Sequence, residues 1–126
     1  MARRLEASHQ QAFFQWIKLY PLIDELTFHC PNGGLRTKAT AISMKRQGVK
    51  PGVPDIQICI PCGNYHGYFI ELKSKGLKPT MLQQKMHENL RRNGYKVDVC
   101  YSWFEAKDCV LDYLRGTSYA KLRAIS

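Results

Sequence analysis

Apolar side chains recur at helical spacing in residues 4–20, where Phe13, Trp16, Ile17 and Tyr20 fall on one face. Pro21 predicts the end of that helix. Leu26 to Cys30 is a short β-like run, and Pro31-Asn32-Gly33-Gly34 reads as the turn that closes it. Residues 36–47 predict a weakly amphipathic, basic helix with Gly48 as its C-cap. A stiff loop follows, Val49-Lys50-Pro51-Gly52-Val53-Pro54. Asp55 to Ile60 then alternates, with Ile56, Ile58 and Ile60 on one face and Asp55, Gln57 and Cys59 on the other. Tyr68 to Lys73 alternates again, with Tyr68, Ile70 and Leu72 against Phe69, Glu71 and Lys73. The turn-like segment Cys62 to Gly67 between the two runs predicts an antiparallel hairpin centred near Asn64.

Thr80 and Gln83 form a capping-box pattern opening a helix to about Asn93, with Gly94 at its end and Leu82, Met86 and Leu90 as its buried stripe. Val97 to Tyr101 is a further strand. Ser102 and Glu105 are a second capping box, for a helix ending near Arg115 and Gly116. The order helix, strand, helix, hairpin, helix, strand, helix predicts an α/β fold with a central mixed β-sheet flanked by helices.

A length of 126 residues with 44% hydrophobic and 23% charged residues fits one globular domain, and excludes disorder, collagen and coiled coil for the whole chain. Residues 1–116 are expected to form it, with 117–126 as a C-terminal tail ordered in part at most. No apolar run approaches the ~18–20 residues that cross a bilayer, and the first residues show no signal-peptide pattern. The expectation is a cytoplasmic protein with no membrane partner. The net charge of +9 changes the picture, because so large an excess on a small domain suits a polyanion, nucleic acid first. Five cysteines, an odd number without a secretory signal, suggest reduced thiols. Cys59-Ile-Pro-Cys62 is a lone C-x-x-C, and a structural zinc site needs four ligands. His29, Cys30 and His66 would join it only if the fold happened to bring them there.

The hairpin carries the chemistry. Any register near the predicted one brings Asp55 beside Glu71, and Lys73 lies two residues further on the same face. Two adjacent carboxylates bind a hard divalent cation, magnesium being the natural choice. Such a metal activates water and stabilises a phosphoryl oxygen, and a nearby lysine orients the attacking water or helps neutralise the transition state. These parts suit phosphodiester hydrolysis. The competing reading is a cross-strand salt bridge on a solvated face. Glu6 falls within about 20° of the buried stripe of the first helix. It is either a further ligand or support for the metal site, or a first-turn residue in solvent that favours the helix dipole. Gln83 can reach the lysine, a metal-bound water or a phosphate, or serve only as capping partner of Thr80.

Taken together, Gly52-Val53-Pro54-Asp55, Glu71-Leu72-Lys73 and Gln83 resemble the PD-(D/E)xK nuclease superfamily. The flanking text Pro31-Asn32-Gly33-Gly34, Lys45 to Asp55, Tyr68 to Lys73 and Gly94-Tyr95 is most similar to its VRR-NUC family, the virus-type replication-repair nucleases, in the stand-alone form that looks phage-encoded. The resemblance runs from about residue 6 to residue 110. It implies a restriction-endonuclease-like fold and cleavage of DNA that depends on Mg²⁺ or Mn²⁺. By the same resemblance Asp55, Glu71 and the main-chain carbonyl of Leu72 would ligate metal, Lys73 would be the catalytic lysine, Glu6 would match an acidic residue of the first helix, and Gln83 a glutamine after the lysine strand. Cys59 and Cys62 lie outside the family pattern.

The function expected is a structure-specific endonuclease on branched DNA such as four-way (Holliday) junctions, with Lys38, Lys45, Arg46, Lys50, Lys75 and Lys78 gripping the backbone. Two cuts need two sites, so a homodimer is expected. The alternatives are a nuclease of flap or linear duplex DNA, and a basic nucleic-acid-binding module without catalysis.

Overall fold

The computed structural model describes residues 2–31 and 37–122, with Arg3 described by its backbone alone. The first helix, α1, spans Ala2–Ile17, and buries Phe13 and Ile17 completely. It stops before Pro21, which does not end a helix but opens the short α2 (Pro21–Asp24). Proline is well suited there, because the first helical position has no intrahelical use for its missing N–H. Strand β1 is Thr27–His29, shorter than the sequence run. Asn32, Gly33 and Gly34 of the predicted turn, and Arg36 at the predicted helix start, lie outside the described residues. Helix α3 is Lys38–Arg46, two residues later than its predicted start. Thr37 caps it, its side chain accepting from Thr40 N. No side chain of α3 is buried.

Strands β2 (Ile56–Ile58) and β3 (Tyr68–Leu72) form the predicted antiparallel hairpin. Ile56 pairs with Ile70 and Ile58 with Tyr68, which centres the connection on Gly63, within a residue of expectation. Helix α4 is Met81–Arg92, β4 is Lys96–Cys100 and α5 is Trp103–Tyr113. The sheet order is β1-β2-β3-β4, antiparallel across the first two pairs and parallel between β3 and β4. This is the mixed sheet the pattern predicts.

Ile56, Ile58, Ile60, Tyr68, Ile70, Leu72 and Cys100 turn one face of the sheet toward α1, α2 and α5 and build the main core. All five residues of β3 are buried, so both faces of this strand are covered. Helix α4 packs beside β4 over the opposite face. Its buried stripe is not the predicted one. Leu82 is 58% exposed, Met86 and Leu90 are half-buried, and the buried residue is His87. The face turned inward centres between Gln83, Met86, His87 and Leu90, and Leu82 lies about 90° round from that centre. After α5, a short 3₁₀ turn, Ser118–Ala120, packs on α2, with Tyr119 and Ala120 against the core. The start of the expected tail is thereby tied to the domain. No helix of the described residues is long and apolar enough to cross a membrane.

Candidate active site

The site lies at the open end of the β2–β3 hairpin. One step beyond the Ile56–Ile70 pair, the register sets Asp55 opposite Glu71. Asp55 Oδ2 accepts from Leu72 N at 2.8 Å, so the side chain continues the ladder where the backbone of β2 has left it. The approach is fixed by Gly52, whose φ is +84°. A Cβ there would stand 2.6 Å from the main-chain oxygen of Leu82, so the loop runs directly against the first turn of α4. The other edge of Asp55 is held by β1. Its main-chain oxygen accepts from Cys30 N at 3.3 Å and lies 2.8 Å from His29 Nδ1.

The two carboxyls lie close enough for each to weigh on the other's protonation. Burial, then the neighbouring Glu71, pushes Asp55 up to about 8. Burial likewise raises Glu71 to about 7, against the lowering influence of Asp55 and the charge of Lys73. Two carboxyls in contact and out of water cannot both ionise cheaply, so the pair keeps a proton unless a cation replaces it.

Glu71 is 1% exposed, and His87 of α4 is 2% exposed. His87 Nε2 lies 3.3 Å from Glu71 Oε1. Burial and the positive charge of Arg91 hold this imidazole below its usual pKa. Lys73 is half-buried, with its backbone N–H on Cys100 O at 2.9 Å, and its charge reaches both Glu71 and His87. Asp55 and Glu71 therefore stand together, as the alternation predicts, with the charge of Lys73 within electrostatic reach of Glu71.

Glu6 is neither frayed nor in open solvent. Its Oε2 accepts from Ser74 N at 3.0 Å and lies 3.1 Å from Ser74 Oγ, which tethers the start of α1 to the residue after Lys73. Its charge is felt at Glu71. The Oε1 of Gln83 accepts from Thr80 N at 2.8 Å, and its backbone N–H donates to Thr80 Oγ1, completing the capping box. Its position in the first turn of α4 puts it against the Gly52 loop. Lys50, Lys75 and Lys78 lie on the two loops that flank the site, Lys38, Lys45 and Arg46 on α3, and all six are exposed.

His87 and Ser74 are the residues that sequence reasoning passed over. A signal for His87 exists in retrospect, since it lies four residues after Gln83 and shares its face. Among the described residues no three His, Cys, Asp or Glu side chains converge to hold a metal ion. Cys59 is exposed and Cys62 Sγ faces Tyr113 O, so this pair gathers no ligand set for zinc. Two carboxylates in contact still fit magnesium, which is usually held by one or two carboxylates, with water and substrate phosphate completing the octahedron.

The comparisons with known proteins agree with this geometry. A solved structure named VRR_NUC domain protein superimposes with a TM-score of 0.77 at 27% identity, covering 90% of this chain and 90% of that one. No curated protein matches the chain. Residues 2–103, which include every side chain of the carboxylate cluster, match the VRR-NUC domain. The chain belongs to the VRR-NUC nuclease family.

Proposed function

We propose that the protein is a metal-dependent, structure-specific DNA endonuclease that acts on branched DNA such as four-way junctions. The observation that carries this reading is the contact of Asp55 with Glu71, beside Lys73, at the end of a buried strand in a chain of charge +9. Asp55, Glu71 and the main-chain carbonyl of Leu72 would hold Mg²⁺ or Mn²⁺, which when bound lowers the pKa of a water and offsets charge on the phosphoryl oxygens. The chain's own groups do the rest. Lys73 brings a fixed positive charge to orient the attacking water and meet the charge that grows on the phosphate. In hydrolysis the water oxygen bonds to phosphorus and the ester oxygen opposite it leaves. Glu6, through Ser74, holds the segment that carries Lys73. The Gln83 side-chain amide not used in capping is available for a water or a phosphate oxygen. Lys50, Lys75 and Lys78 on the flanking loops, with Lys38, Lys45 and Arg46 on α3, supply phosphate contacts.

One such centre makes one nick. Paired cuts at a junction require two, and a homodimer supplies them. The test is cleavage of a labelled four-way junction beside linear duplex, flap and single-stranded DNA, with Mg²⁺, Mn²⁺ or EDTA. Paired cuts that need metal and fall by ~10²-fold or more in Lys73→Ala are expected. DNA binding without cleavage of any substrate in either metal would make the protein a binding module. A monomeric mass in light scattering at the assay concentration, with full junction cleavage, would remove the dimer.

A further inference from the structure

The residue of α4 that meets the site is a histidine where an apolar side chain would be cheaper. A buried imidazole is costly unless its nitrogens find partners. Nε2 of His87 finds Glu71 Oε1 at 3.3 Å. The ring also lies within electrostatic reach of Asp55, Lys73 and Arg91, so it stands inside the cluster. Its place is set by the fold. The capping box and the Gly52 contact fix one end of α4, and at the other Arg91 Nη2 donates to Val97 O at 2.7 Å.

A carboxylate that ligates metal is ionised and can only accept, so Nε2 must then carry the hydrogen. That bond takes one lone pair of Oε1, holds the carboxylate plane and leaves the other oxygen the better donor to a cation. Building on the metal-dependent reading above, we propose that His87 is a positioning residue that holds Oε1 of Glu71, biases this carboxylate toward giving a cation its other oxygen alone, and thereby favours Mg²⁺ and Mn²⁺ over Ca²⁺. Magnesium requires a near-ideal octahedron and accepts one oxygen from each carboxylate. Calcium takes six to eight oxygens and often takes both from one carboxylate. With no third acidic, histidine or cysteine ligand converging among the described residues, a two-oxygen Glu71 is the simplest way to raise the donor count, and the hold of His87 on Oε1 works against it.

The test is Mn²⁺ binding to the full chain without DNA, read from the paramagnetic resonance signal of the free ion, with Mg²⁺ and Ca²⁺ as competitors. Wild type and His87→Gln, which keeps a donor, are expected to share one Mg²⁺-to-Ca²⁺ preference. His87→Leu is expected to shift it toward Ca²⁺ by roughly tenfold. Equal weakening of both ions in His87→Leu, with the preference unchanged, would overturn the proposal. A wild type that binds no Mn²⁺ would overturn the metal-dependent reading itself. A second measurement needs no variant to fold: nitrogen-15 spectra of Mg²⁺-loaded wild type should show His87 protonated at Nε2, and protonation at Nδ1 alone overturns the proposal.

Discussion

Asp55 and Glu71 hold a proton far above the ordinary carboxylate range because the fold takes both out of water and puts them in contact. This links folding to pH. In the unfolded chain the two groups titrate near 3.8 and 4.5, and in the folded, metal-free protein near 8 and 7. Across that window this pair binds more protons in the native state than in the unfolded chain, so its contribution to stability is full below about pH 4 and is lost as pH rises toward 8. His87, whose pKa is lowered by folding, acts in the opposite sense below its ordinary 6.5 and tempers the acidic part of the decline. In EDTA the melting temperature of wild type should fall by at least ~3 °C between pH 6.5 and 8.5. Asp55→Asn should flatten that slope, and parallel slopes for the two proteins would show that the carboxyl pair is not its source.

Among the elements, the hairpin was legible from sequence because it is local and because period-two alternation assigns faces without reference to the rest of the chain. Ile56, Ile58 and Ile60 named the core side, and Asp55 and Glu71 followed. Helix α4 was legible in extent, through Thr80 and Gln83, but not in orientation. Leu82 and His87 lie about 140° apart round the helix, and only the position of β3 decides that His87 and not Leu82 turns inward. Glu6 was ambiguous for a related reason, since its partner Ser74 lies 68 residues away. Pro21 misled because proline both ends and begins helices. The join between β2 and α4 rests on Gly52. Gly52→Ala would place a methyl against the Leu82 carbonyl at positive φ, and should cost about 2 kcal/mol or more in chemical denaturation. It should also depress cleavage, since Asp55 lies three residues on. An alanine variant as stable and as active as wild type would mean the loop has room that the structure denies it.

At the scale of the whole molecule, the charge excess has a place to act. Helix α3 puts no side chain into the core, carries Lys45 and Arg46 in its last turn, and runs into the loop that ends at Asp55. A surface helix of this kind is free to spend its side chains on phosphate. In DNA binding measured against salt, Lys45→Ala with Arg46→Ala should reduce the slope of log K by about 2, near one for each lost contact. The change should be alike for every DNA sequence, since such contacts do not read bases. An unaltered slope would place the DNA elsewhere on the surface.

The two carboxylates stand at the open end of a hairpin whose turn, at Cys62 to Tyr65, is at the other. Residues added to or removed from that turn alter the far end of the ladder and leave the opposition of Asp55 and Glu71 alone, provided the pairing is kept. Glu71 and Lys73 have no such latitude, because the pleat itself holds them two apart. Drift in the length of this chain can therefore stretch or shrink the interval from the aspartate to the glutamate, while the interval from the glutamate to the lysine stays locked.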